Sequence, residues 1–239
     1  MRSLNMTSIV LVRLVLFAAS LGAARAGEGW PGESLDTWHG YVRHNFTVDG
    51  CPAWVVEPKQ AARGNPWTWC MEFPDAFYKV LQAGGLAKKG TLIGISRGGL
   101  YGYNFAAEDP SRVACIYGDA PVCDFKSWPG GKGKGNGSPD DWAALLRNYG
   151  FKDEAEALAY KKNPVDELGP LAAAKVALIH VVGDADKVVP PEENTLIIAQ
   201  RYQELGGKIV VIHKPGCDHH PHGLDNPQPI VDFVLEHAL

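Results

Sequence analysis

The sequence predicts an α/β fold in which a mostly parallel sheet carries helices on both faces. The main observation is that short apolar runs alternate with segments whose apolar residues recur at helical spacing. The chain has 239 residues, 46% hydrophobic and 21% charged, so it can bury a large core without disulfides or metals. Its net charge of −4 provides no general attraction to nucleic acid or acidic membranes, and we expect no such partner.

The predicted elements follow one another in a regular order. A hairpin comes first, because the β-rich segments 41–48 and 53–57 flank Asp49-Gly50, a strong turn signal. The later elements are strand 66–69, helix 74–83, strand 91–95, a helix ending near Glu108, strands 113–117 and 176–182, helix 191–205, strand 208–213 and helix 227–239. Strands that alternate with helices imply parallel neighbours covered on both faces.

A long insertion separates two of these strands. Residues 118–175 connect them, whereas a simple crossover needs only about a dozen residues. The insertion includes a glycine- and lysine-rich run at 130–137, interpreted as flexible and solvated, and two predicted short helices, 140–148 and 153–160. We interpret residues 124–175 as a lid or cap over one end of the sheet.

The first 26 residues have the pattern of a secretory signal. Positive charges precede a short apolar run at 14–23, and residues 24–26 (Ala-Arg-Ala) have the small-x-small form of a cleavage site. A membrane anchor is the alternative, but the run is well short of the ~20 residues that span a bilayer. We therefore expect a mature domain, residues 27–239, that is secreted or periplasmic and free of the membrane.

The five cysteines cannot all pair within one chain, although export permits disulfides. Cys115 lies in a strand-like apolar run and is predicted to be a core residue. The segments that contain Cys70, Cys123 and Cys217 can meet at one end of the sheet. A disulfide between two of these cysteines is one alternative, and their spacing does not decide it. The cysteines have no paired metal-ligand spacing.

The first chemical motif is residues 94–98, Gly-Ile-Ser-Arg-Gly, which match G-x-S-x-G. The apolar run 91–95 precedes Ser96 and a helix follows it, which is the strand–turn–helix context that presents a serine above a sheet. Small residues let the strand and the helix approach closely, and the backbone N–H after the serine can then stabilise an oxyanion. A glycine-rich turn with an incidental serine is the alternative.

The second motif supplies a carboxylate. Residues 183–190, Gly-Asp-Ala-Asp-Lys-Val-Val-Pro, follow a predicted strand downstream of the serine. An acid in this turn is placed to orient a catalytic base. Asp184 and Asp186 both qualify, and Asp184 can instead cap the turn.

The third motif supplies a base in the loop after the last strand. Residues 216–222, Gly-Cys-Asp-His-His-Pro-His, contain His219, His220 and His222. A serine hydroxyl needs an adjacent base, and that base needs a carboxylate that holds its tautomer. Clustered histidines can also bind a metal, but no spaced acidic partner accompanies these, so we predict no metal.

The order serine, aspartate, histidine matches the α/β-hydrolase order. With its segments 94–99, 183–190 and 216–219, the sequence resembles secreted α/β-hydrolases of the esterase and prolyl-oligopeptidase-like group, and residues 38–239 share their layout. The resemblance implies the α/β-hydrolase fold and no cofactor. It also implies that Ser96 is the nucleophile, that Asp186 of the G-x-x-D-x-x-V-P turn is the acid, and that His219 of G-x-x-H is the base.

The same resemblance implies an oxyanion hole. One donor is the backbone N–H of Arg97, and the other comes from Cys70 or Met71, just after a short extended strand. Trp67 and Trp69 alternate along that strand, so one can face the site and stack on a sugar or aromatic group. The alternative is that both pack in the core or cover a sheet edge.

Together the motifs predict an exported serine hydrolase that cleaves a carboxylic ester through an acyl-enzyme. A small-molecule or carbohydrate ester is the expected substrate. A peptidase of the prolyl-oligopeptidase type is the alternative among enzymes, although the sequence has no separate propeller domain. The sequence does not predict the oligomeric state.

The chain departs from the family pattern in one place. Hydrolases of this type have a helix, a strand and a second helix between the oxyanion strand and the nucleophile strand. Residues 70–90 have room for one crossover helix of about ten residues, roughly 15 Å long, so we predict that one internal strand is missing. The chain is then a compact working variant, a non-catalytic binding protein or a sequence lacking an internal segment; these considerations favour a defective or incomplete hydrolase.

Overall fold

A computed structural model of the chain describes residues 32–48, 50–59, 67–70 and 89–238. Two predicted segments, the signal at 1–26 and the helix at 74–83, lie outside the described residues. Among the helices of the described ranges, none combines the length and the hydropathy needed to cross a bilayer. The chain divides into two compact units, Met1–Gln60 with Asn148–Gly150 and Ala61–Arg147 with Phe151–Leu239.

The first unit contains a three-stranded antiparallel sheet in the order β1–β2–β3. Its strands are β1 (Ser34–Trp38), β2 (Tyr41–Val48) and β3 (Cys51–Val56). The predicted hairpin is confirmed, since Val48 pairs with Cys51 around a tight turn in which Gly50 has a φ of +81°. Strand β1 was not predicted, because four of its five residues are exposed and the segment lacks apolar alternation.

The second unit contains a five-stranded parallel sheet in the order β4–β5–β6–β7–β8. Its strands are β4 (Trp67–Cys70), β5 (Gly90–Ile95), β6 (Val113–Asp119), β7 (Ala177–Gly183) and β8 (Ile209–Lys214). Each corresponds to a predicted strand. Within the described part of the chain β4 pairs with β5 alone, which agrees with a core that lacks one internal strand.

Six α-helices are found in the described residues: α1 (Gly98–Glu108), α2 (Pro139–Tyr149), α3 (Glu154–Ala159), α4 (Gly169–Ala173), α5 (Thr195–Glu204) and α6 (Gln228–Ala238). Helices α2 and α3 are the two predicted in the insertion, whereas the five-residue α4 was not predicted. Helix α5 begins later than expected. A 3₁₀ turn at Pro191–Glu193 precedes it, and Asn194, with φ −129° and ψ −90°, interrupts the helical path.

Helices cover both faces of the parallel sheet. Alternate residues of β5, β6 and β7 face the same side, and they form a core with two residues of α6: Ile93, Ile95, Cys115, Tyr117, Ala177, Ile179, Val181, Ile230 and Val234. On the opposite face, Tyr103 of α1 is hydrogen-bonded to His180 of β7. Because all five strands run in the same direction, the loops that follow them lie at one edge of the sheet.

Three cysteines whose side chains the structure describes, Cys115, Cys123 and Cys217, carry free thiols. Cys115 is fully buried, as predicted, and burial raises the pKa of its thiol to about 11. Because Cys123 and Cys217 are free, no disulfide is formed among Cys70, Cys123 and Cys217.

Candidate active site

Ser96 lies in the sharp turn between β5 and α1, where its φ is +49°. A residue with a side chain adopts this left-handed conformation only when its surroundings enforce it. Here the backbone N–H of Ser96 donates to the carbonyl of Asp119 at 2.9 Å, and the carbonyl of Ser96 accepts from Val122 at 2.8 Å. The end of β6 and the segment that follows it therefore hold the strained turn in place.

Two glycines make this turn sterically possible. A Cβ at Gly94 would lie 3.0 Å from the carbonyl oxygen of Gly98, on the first turn of α1. A Cβ at Gly99 would lie 2.7 Å from the carbonyl oxygen of Val122. Any larger residue would push the helix away from the strand or from the loop after β6, so the small residues of the motif have a direct structural cause.

His219 joins Ser96 to a carboxylate. Its Nε2 lies 3.0 Å from Ser96 Oγ, and its Nδ1 lies 2.8 Å from Asp186 Oδ2. His219 is 7% exposed and Asp186 5%, so both groups are withdrawn from solvent. With Nδ1–H donating to Asp186, Nε2 can accept the proton of the Ser96 hydroxyl.

The Asp186 carboxylate is held by more than the histidine. Its Oδ1 accepts the backbone N–H of Val188 at 2.9 Å and that of Val189 at 2.8 Å. Hydrogen bonds from two backbone donors fix the direction of the carboxylate. The turn after β7 therefore presents a fixed carboxylate oxygen, Oδ2, to the imidazole.

Asp184, the other acid that the sequence allowed, lies outside this arrangement. Its Oδ1 is 2.6 Å from Nδ1 of His213 on β8, and the two side chains are 40% and 47% exposed. The structure therefore brings Asp186, and not Asp184, into contact with His219.

A further aspartate, Asp218, connects the acid turn to the histidine loop, a role that was not predicted from sequence. Its Oδ1 accepts the backbone N–H groups of Lys187 at 3.0 Å and of His219 at 2.8 Å. These hydrogen bonds lower the pKa of Asp218 below its usual range. The loops also touch directly, since a Cβ at Gly183 would lie only 2.4 Å from the carbonyl oxygen of Asp218. The only sequence signal was an aspartate immediately before the candidate histidine.

A second buried histidine–aspartate pair lies beside the first. Nδ1 of His222 is 2.7 Å from Oδ1 of Asp119, which is 2% exposed and lies at the end of β6. Asp119 Oδ2 also accepts from Gly223 N–H at 2.8 Å and from the hydroxyl of Tyr117 at 2.5 Å. The strand predicted from sequence ended at Tyr117, so Asp119 was missed; its only signal is an aspartate close behind a predicted buried strand.

The three histidines of the loop are in ring contact and are hereafter called the histidine cluster: His219, His220 and His222. Ring centroids are 5.1 Å apart for His219 and His220, 4.9 Å for His219 and His222, and 4.6 Å for His220 and His222. One nitrogen of each ring lies within 4.8 Å of the other two. Partial burial, followed by the charges of His222 and His219, lowers the pKa of His220.

The predicted oxyanion donors are only partly described. Arg97 directly precedes α1, so its backbone N–H is at the positive end of an eleven-residue helix. Its side chain is half exposed, with Nη1 3.6 Å from a carboxylate oxygen of Asp141 on α2. Cys70 ends β4 opposite Ile93 of β5, near the edge of the sheet that carries Ser96. Met71 and the side chains of Trp67 and Trp69 lie outside the described residues, so the second donor and aromatic stacking stay predictions.

The glycine- and lysine-rich run at 130–137 is anchored to the segment that follows Asp186. The backbone N–H of Asn136 donates to the carbonyl of Lys187 at 2.7 Å, and that of Lys134 donates to a carboxylate oxygen of Glu193. A Cβ at Gly135 would lie 2.7 Å from Pro190. The run interpreted as flexible from sequence is therefore held by defined contacts, while the lid role of residues 124–175 stays a prediction.

His180 is a buried histidine on the α1 side of the sheet. Its Nε2 is 2.7 Å from the hydroxyl of Tyr103, and its Nδ1 is 2.9 Å from the hydroxyl of Thr195. Burial lowers the pKa of His180 to about 3, so the ring is neutral at physiological pH. A Cβ at Gly118 would lie 2.8 Å from this ring, which explains a glycine inside β6.

Comparisons with known proteins agree with this architecture. A family model described as alpha/beta hydrolase fold matches residues 28–202, a stretch that contains Ser96 and Asp186 and ends before His219. No curated protein sequence matches the chain significantly.

Two solved structures share the fold at low sequence identity. Acetyl xylan esterase 1 from a Thermoanaerobacterium species is 14% identical, with a TM-score of 0.56 and coverage of 92% of each chain. An S-formylglutathione hydrolase from Agrobacterium tumefaciens is 14% identical, with a TM-score of 0.51 and coverage of 85% of this chain and 95% of the other. From the family match and the sheet that carries Ser96, we conclude that the chain belongs to the α/β-hydrolase fold family.

Proposed function

We propose that this chain is an exported serine hydrolase that cleaves a carboxylic ester through an acyl-enzyme. The observation that carries the proposal is the hydrogen-bonded line from Ser96 through His219 to Asp186, with contacts of 3.0 and 2.8 Å. A strained serine turn, a buried base and a buried carboxylate held by two backbone donors are the parts that nucleophilic acyl transfer needs. The sequence predicted a shortened core and, from it, a defective or incomplete hydrolase. The hydrogen-bonded line from Ser96 to Asp186 argues against that defect.

The first half of the reaction transfers the acyl group to the protein. Ser96 Oγ attacks the ester carbonyl carbon while its proton passes to His219 Nε2, and the negative charge of Asp186 stabilises the imidazolium. The carbonyl oxygen of the tetrahedral intermediate accepts the backbone N–H of Arg97 at the start of α1. Collapse of the intermediate breaks the bond to the alcohol oxygen, which takes the proton from His219, and leaves an acyl ester on Ser96.

The second half restores the free protein by the reverse sequence of proton transfers. Water gives a proton to His219 Nε2 as its oxygen attacks the acyl carbon. The proton then returns to Ser96 Oγ as the acid leaves. No oxidant, cofactor or metal enters the balance of either half.

For the substrate, we propose an ester of a carbohydrate. Two observations support this choice: one structural relative is named an acetyl xylan esterase, and the signal-like pattern at residues 1–26 would deliver the domain outside the cell. The name of that relative specifies an acetyl group, but at 14% identity it does not fix the acyl length for this chain. A short-chain panel from acetyl to octanoyl, on both p-nitrophenol and xylan, is therefore the appropriate assay.

The decisive experiment is active-site labelling of the purified mature chain with a fluorophosphonate. We expect one label per chain on Ser96, parallel turnover of acyl esters, and loss of both in Ser96→Ala. Ser111→Ala, which changes an exposed serine of the same unit, should label like the parent. Proline-containing peptides cleaved without ester turnover would establish the peptidase instead. A chain that unfolds cooperatively yet shows no labelling and no turnover would make the hydrolase proposal wrong and leave a binding role.

A further inference from the structure

We propose that the histidine cluster binds one divalent transition-metal ion of the Zn²⁺, Cu²⁺ or Ni²⁺ class, and that the bound ion inhibits hydrolysis by occupying His219. Metal binding is independent of the proposed function, whereas inhibition rests on it.

Three imidazole rings of one loop converge. One nitrogen of each ring lies within 4.8 Å of the other two. Around a tetrahedral Zn²⁺ with Zn–N distances of about 2.0–2.1 Å, ligand nitrogens are about 3.4 Å apart, so the rings must close by up to about 1.4 Å. His220 is exposed, and rotation of its side chain can supply this movement.

Two of the three rings are held by buried carboxylates. His219 directs Nδ1 at Asp186, and His222 directs Nδ1 at Asp119, at 2.8 and 2.7 Å. Metal-ligating histidines almost always hold a carboxylate, a carbonyl or water with the ring nitrogen that does not bind the metal, because this fixes the tautomer and strengthens the ligand. Each pair therefore has the orientation that makes Nε2 the ligand atom.

The type of ligand atom determines which ions fit the histidine cluster. The cluster offers imidazole nitrogen, which suits Zn²⁺, Cu²⁺ and Ni²⁺, whereas Mg²⁺ and Ca²⁺ select oxygen ligands. The buried carboxylates of Asp119 and Asp186 lie directly behind the rings and compensate the charge of the ion. Water can complete a tetrahedral shell of three nitrogens.

A metal ion bound at Nε2 of His219 would stop hydrolysis. Nε2 of His219 cannot coordinate a metal and accept the proton of Ser96 Oγ at the same time. A bound ion therefore removes the base from the reaction, and a chelator that removes the ion restores it.

Metal binding is tested without reference to activity. Untagged chain is freed of metal with EDTA, dialysed, and titrated with Zn²⁺ in competition with a chromophoric chelator. We expect one ion per chain and an affinity reduced at least about tenfold in His220→Ala and in His219→Ala. Ser96→Ala should retain the site. The matched control is His39→Asn, which removes an exposed histidine of the first unit while asparagine tolerates its φ of +48°.

Two results of this titration would overturn the proposal. One is the absence of binding by one ion per chain at micromolar Zn²⁺. The other is an affinity of His220→Ala equal to that of His39→Asn. Because His220 is exposed, its replacement does not require repacking of the interior, so the comparison remains valid even where His222 variants fail to fold.

Inhibition is measured on ester hydrolysis over the same range of Zn²⁺, with each variant normalised to its own metal-free rate. Inhibition should follow the binding curve, reverse with EDTA, and require at least about ten times more Zn²⁺ in His220→Ala. Binding without inhibition would overturn the inhibitory half. If the metal-free chain hydrolyses no ester, the proposed function fails, while the titration still decides the metal site.

Discussion

Two histidine–aspartate pairs start from the same turn after β7 and differ mainly in burial. Asp184 and His213 are 2.6 Å apart with side chains 40% and 47% exposed, whereas Asp186 and His219 are 2.8 Å apart with side chains 1% and 8% exposed. The contact distance therefore does not separate them. Water screens the exposed pair, which therefore contributes little to the free energy of unfolding. The buried carboxylate of Asp186 must be fully hydrogen-bonded, and these bonds hold it in one orientation.

The pair at the end of β6 extends this comparison. His222 and Asp119 are 2.7 Å apart and nearly as buried as the Asp186 pair, with side chains 11% and 3% exposed. Burial thus separates an oriented pair from a surface pair, but it does not distinguish the two buried pairs from each other. Contact with Ser96 is what singles out His219.

The largest expected difference in kcat is between replacement of His219 and replacement of His213. His219→Ala should lower kcat for ester hydrolysis by several orders of magnitude, because it removes the only base in contact with Ser96 Oγ among the described residues. His213→Ala should leave kcat within about twofold, since its pair is exposed. Steady-state kinetics on an acyl ester measures both, and comparable losses in the two variants would contradict the assignment.

The next largest difference in kcat is expected between replacement of Asp186 and replacement of Asp184. Asp186→Asn should lower kcat by about 10³–10⁴, because an amide no longer stabilises the imidazolium or selects the tautomer with the proton on Nδ1. Asp184→Asn, two residues away, should change kcat by less than about twofold. A large loss in Asp184→Asn with little change in Asp186→Asn would exchange their roles.

A smaller effect on rate is expected at the second buried pair. His222→Ala should lower kcat by no more than about tenfold, while the Asp119 carboxyl left with fewer partners destabilises the fold by about 1–3 kcal/mol. Denaturant unfolding and kinetics on the same preparation separate the two consequences. A loss of kcat as large as that of His219→Ala, in a variant of normal stability, would make His222 the base.

The smallest effect concerns stability and pH at His180, which is buried between two hydroxyl groups rather than beside a hydrogen-bonded carboxylate. Its pKa is about 3 when folded and about 6.5 when unfolded, so the unfolded chain binds the extra proton between these values. The contribution of His180 to the free energy of unfolding is therefore complete above about pH 6.5. It falls by about 1.4 kcal/mol per pH unit as the pH decreases towards 3.

Two measurements check that the stability falls as the pH decreases. The difference in unfolding free energy between parent and His180→Gln should shrink by about 2 kcal/mol from pH 7 to pH 5. NMR of the His180 ring in the parent should show no titration over the same interval, and this holds even where the variant does not fold. A ring that titrates near pH 6.5 would disprove the neutral buried state.

Much of this protein could be predicted from sequence because the determining signals are local. Buried parallel strands are continuous apolar runs, so all five strands of the larger sheet were predicted, and the G-x-S-x-G turn carries its own steric requirement at Gly94. Strand β1 escaped prediction because its residues are mostly exposed, and the start of α5 was misplaced because Asn194 interrupts the helical path. These errors occur where burial and periodicity supply no signal.

The tertiary structure alone decided which polar groups meet. Ser96 and His219 are separated by 123 positions and His222 and Asp119 by 103, and no local pattern encodes contacts between such distant residues. Taken by themselves, the residues left three histidines in one loop and two aspartates in one turn as alternatives, and only the resemblance to the hydrolase family pointed to His219 and Asp186. The choice depends on how the ends of parallel strands are brought together, because only the packed sheet fixes which carboxylate is buried and which imidazole lies against the serine.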